Sequence, residues 1–225
     1  MRDSNELSEV RRYIQRAANA HQDLVNADSA ADLRNSWEDF LEHFGKALGK
    51  LIALAKKNPA TGPLGHRLRN MSMGADEGLV YLREARNEVV HGLEPVARFE
   101  NSYVSVGTAG VRIDNGSNIT ILNCSFNGER IDHLNLSVAG GKLTEVQGSP
   151  DDLRKVRENP AGLKLRAVRN PEKSKAIYPV PRTLDGASLV FGDPRALAQT
   201  ALAFIQRSYA QLQSDPVPPG RKTDG

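Results

Sequence analysis

An α+β fold is predicted for this 225-residue chain: a bundle of about four main helices with a small antiparallel β-subdomain inserted between the third and fourth. Within residues 5–92 and 193–213, apolar residues recur at three- and four-residue steps, the period of an amphipathic helix. Between residues 103 and 146 the period changes to two, in β-branched runs separated by Gly and Asn turns. The final helix carries an apolar stripe that needs a covering surface, and the helices of the first half supply it. The expected organisation is 1–95 with 193–213 as the bundle, 96–192 as a β-rich insert with a basic linker, and 214–225 as a disordered tail.

The first helix follows from Leu7, Val10, Ile14, Ala17, Ala18, His21, Leu24 and Val25. It starts near Ser4 and ends at Asn26 and Asp28. The second is the strongest periodic signal: Leu33, Trp37, Phe40, Leu41, Phe44, Leu48, Leu51, Ile52 and Ala55 form one stripe. Asp28 or Ser29 caps its start. Lys56 and Lys57 suit the negative end of its dipole, and Pro59 follows. NPATGPLG (58–65) is a turn cluster, followed by a short helical piece around Leu64–Met71 and a break near Gly74. The third main helix should span Asp76 to His91, with Leu79, Val80, Leu82, Ala85, Val89 and Val90 apolar. Gly92 suits a left-handed C-cap, and Pro95 forbids further helix.

Strands are expected at Tyr103–Val106, Val111–Ile113, Ile119–Leu122, Leu134–Val138 and Leu143–Val146. Residues 110–128 look faintly like a β-helix rung, but there is room for only about two rungs, too few for a solenoid. A short helix near Pro150–Glu158 and a strand at Leu189–Phe191 are expected in the basic, proline-rich stretch that follows. Asp193 then caps the last helix, with Pro194 in its first turn and Leu197, Ala201, Leu202, Ile205, Tyr209 and Leu212 as its stripe.

Composition narrows the function. Hydrophobic residues make up 39% and aromatics only 5%, so the core should be mainly aliphatic. No apolar run reaches the roughly 18–20 residues of a membrane span. The opening MRDSNELSEVRR has no apolar segment of the secretory kind. A single cysteine, Cys124, excludes an internal disulfide framework and any cysteine-based zinc site. A reducing cytoplasm is the expected compartment, with no membrane association. The net charge is +3, unevenly spread: residues 154–175 hold eight Lys or Arg against Glu158 and Glu172. That density suits a polyanion such as RNA, or a solvated loop.

The chemistry concentrates in YLREARNEVVHG (81–92). Asn87 and His91 are four apart and share a helical face, with Arg83 beside them. Arg86 is five residues before His91, about 140° away on an ideal helix. A histidine exchanges protons near neutral pH. An arginine holds phosphate bidentately and stabilises charge developing on it. An asparagine orients the imidazole or a substrate oxygen. This is a minimal kit for cleaving RNA, whose 2′-hydroxyl attacks the adjacent phosphate and leaves a 2′,3′-cyclic phosphate. The same residue types also occur at helix ends in purely structural roles, on carbonyls and the helix dipole.

The string Arg86-Asn87-x-x-x-His91 at the end of a helix in a helical bundle resembles the HEPN superfamily, the higher eukaryotes and prokaryotes nucleotide-binding domain. Its hallmark is an Arg, four to six residues and a His, with Asn, Asp or His favoured after the Arg. The resemblance covers roughly 5–92 and 193–213. It implies a metal-independent endoribonuclease, with no cofactor and no metal, in a toxin–antitoxin, abortive-infection or CRISPR-linked setting. Arg86, Asn87 and His91 would be catalytic, and a homodimer would bring two motifs into one cleft. An antitoxin or trigger protein is the implied further partner. Toxin members often carry a tyrosine two residues after the histidine; here that place is Leu93, so control by a nucleotidyltransferase antitoxin is not implied. The alternative is an inactive HEPN-like module that binds nucleotide, RNA or protein as a dimeric sensor or scaffold.

Further candidate RNA contacts are Arg83, His66, Arg67, Arg69, Arg166 and Arg169. His21 and His43 read as packed or half-exposed helix residues. His133 with Asp132 and Asp114 matches no metal-ligand spacing. GKALGK (45–50) lies inside the strongest helix and is no phosphate loop, and Cys124 reads as buried and inert.

Overall fold

The structure is a computed structural model that describes residues 2–91, 95–107, 111–126, 128–170 and 176–214. It is a mixed helix-and-sheet protein of two compact units, one built from residues 1–98 and 163–225, the other from 99–162.

The first unit is helical. α1 (Arg2–Asn26) pairs along its length with α2 (Ala30–Lys57), and α3 (Gly62–Asn70), α4 (Glu77–His91) and α6 (Pro194–Ser214) pack around α2. Ser29 caps α2, its Oγ accepting the Asp32 N–H at 3.0 Å. The α2 stripe is buried nearly as its periodicity predicts. The core is less aliphatic than composition suggests, because the few aromatics are gathered there. Trp37 stacks on Phe40 and Phe40 on Phe44, with ring centroids 5.8 and 5.7 Å apart, and Tyr81 and Phe204 are fully buried. A π-helical turn, Met71–Ala75, joins α3 to α4. Asp76 opens α4: one carboxylate oxygen accepts the Leu79 N–H at 2.8 Å and the other the Asp185 N–H at 2.7 Å. Asp193 does the same for α6 through the Arg195 N–H at 2.8 Å.

The second unit holds two three-stranded antiparallel sheets. One has the order β3 (Val111–Ile113), β2 (Tyr103–Val106), β7 (Val156–Asn159). The other has β4 (Gly116–Phe126), β5 (Glu129–Ala139) and β6 (Lys142–Gly148). Val104, Val106 and Ile113 of the first sheet and Ile121, Ile131, Leu134, Leu136 and Val138 of the second form one core. Gly141 turns the chain between β5 and β6 at φ +72°, with the Ser102 backbone pressed against it, so no side chain fits there. The chain enters and leaves this unit through β1 (Ala97–Glu100) and β8 (Gly162–Leu165), which pair with each other.

Four expectations are corrected here. The short helix α5 (Pro150–Leu153) stops before residue 158, because Val156–Asn159 pairs with β2 as an edge strand. Leu189–Phe191 is not a strand; Ala187–Ser188 (β12) pairs with Thr183–Leu184 (β11) in a tight hairpin, and Phe191 is exposed. Residues 163–170 and 176–192 pack with the helical unit rather than with the β-rich insert, the first of these held by hydrogen bonds to α4. β4, β5 and β6 are longer than the alternation suggested: the added stretches are mostly polar, with Cys124, Phe126 and Ile131 among them packed on the core. Ser214, expected to open the tail 214–225, is the last residue of α6; the rest of that tail and the expected C-cap Gly92 lie outside the described residues.

Asp152, the buried carboxylate of α5, ties that turn to β5. Burial pushes its pKa up, but bonds from Lys155 Nζ, the His133 N–H and Ser149 Oγ outweigh this and hold it at about 2. An aspartate held below its unfolded value of about 3.9 contributes stability that is complete above that value and lost as pH falls toward the folded one. Asp152→Asn should therefore lower the Tm of the β unit at pH 7 and flatten its acid dependence between about pH 4 and pH 2. Thermal melts at pH 7 and pH 3 check both.

Candidate active site

α4 is covered on two sides, which its sequence conceals. Leu79, Leu82 and Ala85 enter the helical core, while Tyr81, Glu84 and Glu88 are buried beneath the returning segment 163–170. Val90, expected on the apolar face, is 63% exposed. Gly78 lets the β11 hairpin close on the helix start: a Cβ there would lie 2.7 Å from the Thr183 carbonyl oxygen.

Glu84 and Glu88 are each 1% exposed, and both are fully engaged. Glu84 accepts from Arg83 Nε at 2.9 Å, Asn87 Nδ2 at 3.3 Å and Asn170 Nδ2 at 2.6 Å. Glu88 accepts from Arg166 Nη2 at 2.8 Å and from the Arg169 N–H at 2.9 Å. A buried carboxylate is tolerated only with such partners. Tyr81 closes the cluster, donating to the Arg166 carbonyl at 2.8 Å; burial, with Glu88 nearby, pushes its phenol well up.

This network assigns several of the candidates. Arg83 is held by Glu84 and by the Ser72 carbonyl at 2.7 Å, and Asn87 rests on Glu84. Arg166 is ion-paired to Glu88. Arg169 offers its backbone to Glu88 and leaves its side chain exposed. His66, Arg67 and Arg69 are exposed on α3, and Arg67 bonds Gln211 of α6 at 3.1 Å. The basic stretch 154–175 is not a uniform loop. Arg154 and Lys155 pair with Asp151 and Asp152, Arg166 pairs with Glu88, and much of the stretch forms β7, β8 and β9 (Val168–Arg169). Its residues 171–175 lie outside the described residues.

Arg86 stands apart from this network. Its aliphatic stem crosses α2 at Gly45, where a Cβ would lie 2.5 Å from Arg86 Cδ. Its Nε is buried and has no hydrogen-bond partner. Glu42 lies near enough to respond: its carboxyl is pulled down chiefly by Lys46, and also by His43 and Arg86. His91 ends α4, exposed. Gly92 and Leu93, beside it, lie outside the described residues. The structure thus draws Arg83 and Asn87 together at Glu84, while Arg86 lies on α2.

The other histidines differ. His43 faces Tyr13, with ring centroids 6.3 Å apart, and its buried Nδ1 has no partner. Burial lowers the pKa of His21, opposed by a hydrogen bond to the Arg195 backbone. Asp132 and Asp114 are paired to Arg130 and Arg112. Cys124 is half-buried rather than buried. Sequence reasoning missed Glu84, Glu88 and Asn170. The four-residue spacings of Glu84 with Glu88 and of Arg166 with Asn170 were the available signal. Comparisons with protein-family models, curated proteins and solved structures yield no match.

Proposed function

We propose that this protein is a metal-independent endoribonuclease of the HEPN kind. It would cleave RNA by attack of the 2′-hydroxyl on the adjacent phosphate, leaving 2′,3′-cyclic phosphate ends. His91 would move the proton, Arg86 would clamp the phosphate and its developing charge, and Asn87 would position the reacting groups. A homodimer would supply a second histidine, so that one acts as base and the other as acid. A cytoplasmic toxin or phage-defence effector, controlled by an antitoxin or trigger protein, is the setting we assign to it.

The observation that supports this reading is the contrast among the cations on α4 and its covering strap. Arg83 and Arg166 are held by buried carboxylates. Arg86 has a buried, unpartnered Nε on a helix that ends in the exposed His91. A buried donor without an acceptor costs about 1–3 kcal/mol.

The test is incubation of the protein with mixed RNA in EDTA. Products with cyclic phosphate ends are expected, and DNA should be spared. Failure to cleave any RNA as a purified dimer would favour a binding module. The seat of Arg86 gives a sharper probe. Gly45→Ala adds a methyl group where the Arg86 stem lies, yet alanine favours helix by about 1 kcal/mol over glycine. Cleavage should fall about tenfold or more, because small misplacements of a catalytic group are costly, with no loss of Tm. Unchanged cleavage would separate Arg86 from the reaction.

A further inference from the structure

Four cations converge on one exposed-side aromatic ring of the α1–α2 pair. Arg12, Arg16, Lys46 and Lys50 lie 5.3, 5.9, 5.8 and 5.8 Å from the Tyr13 ring centroid. Among the described residues, two carboxylates pair with them. Glu9 is shared between Lys50 at 2.9 Å and Arg12 at 3.5 Å, and Glu42 is taken by Lys46. Arg16 has no carboxylate partner among the described residues. The Arg86 stem crosses α2 at Gly45, next to Lys46 in sequence, so the patch runs toward that residue. His43, against Tyr13, adds a buried Nδ1 with no partner.

Four cations against two carboxylates leave a local excess of positive charge around the ring, which attracts a polyanion. Alternating cations and an aromatic ring suit a sugar-phosphate backbone with a base stacked on the ring. A membrane is a poor match, because the apolar face of α1 (Val10, Ile14, Ala17, Leu24) is already buried in the bundle.

We propose that the Tyr13 face of α1 and α2 is a binding track for single-stranded RNA, leading to Arg86. This deepens the ribonuclease reading and rests on it for the direction of the strand, but it requires binding alone.

The experiment uses the full chain carrying His91→Ala, so that nothing is cut, and a fluorescein-labelled 20-nucleotide single-stranded RNA in EDTA. Anisotropy is read across a salt series. Each phosphate contact contributes about −0.7 to the slope of log K against log salt for a single strand. Arg16→Ala with Lys50→Ala should therefore flatten the slope by about 1.4. At low salt the same pair should weaken binding about tenfold or more. Tyr13→Ala should weaken binding by a similar factor at every salt concentration while leaving the slope unchanged, and Tyr13→Phe should restore it. Circular dichroism melts confirm that the variants fold.

Unchanged affinity and slope in the double variant would overturn the track even if the parent protein cleaves RNA. Binding that follows these variants in a protein that never cleaves would keep the track and remove the nuclease. Competition by poly-glutamate as strong as by RNA would assign the face to an acidic protein and overturn the proposal.

Discussion

Arg86→Ala should reduce RNA cleavage by roughly 10²–10³-fold, the usual cost of removing a donor that meets charge developing in a transition state. Stability should hardly change. The guanidinium makes no ion pair among the described residues and its Nε has no partner, so the variant loses only the contact of its stem with α2. His91→Ala should cost roughly 10²–10⁴-fold, the range of general acid–base catalysis. His91 is exposed at the end of α4, so its loss should leave the Tm within about 2–4 °C of the parent. The double variant should be little worse than the poorer single one, because residues acting as a unit are not additive. Single-turnover cleavage in EDTA, read beside thermal melts, checks all three. Parent-like cleavage by both single variants would remove the assignment, whatever the fold.

The second large effect is on stability. Glu84→Ala should destabilise the helical unit by about 3 kcal/mol, the scale for breaking a buried, hydrogen-bonded ion pair. Three donors lose their acceptor. Arg83 is a quarter exposed and can turn to water, but Asn170, 8% exposed, cannot. Glu6→Ala is the control. Its pair with Lys57 is exposed, and such pairs are worth about 0–1 kcal/mol. Urea unfolding followed at 222 nm compares the two. A loss below about 1 kcal/mol for Glu84→Ala would mean that the strap over α4 contributes little.

The long helices and the short strands were legible because local chemistry determines them. The stripe from Leu33 to Ala55 is buried much as its period predicts, and Tyr103–Val106 and Val111–Ile113 are strands with the expected bounds. α4 was legible as a helix but not in its facing. A Glu at 84 or 88 reads as solvent-exposed, and only the distant Arg166 and Asn170 make its burial tolerable. The same limit explains residues 163–192. Their strands are two to four residues long and take their place from α4 rather than from their own pattern. The motif Arg86, Asn87 and His91 could be read from spacing. That Asn87 leans on Glu84 while Arg86 lies on Gly45 could not, because a glycine inside a strong helix signals only lost propensity.

The helical unit is discontinuous in sequence, and this sets an order on biosynthesis. Residues 99–162 form a contiguous unit that is translated whole before α6. α6 supplies Leu197, Ala201, Phe204 and Ile205 to the helical core, packing chiefly on α1 and α2. A nascent chain therefore carries Arg86 and His91 for about a hundred codons before that core closes. During synthesis the β unit is complete before the helices are, so any activity dependent on α4 waits until α6 has been translated and packed.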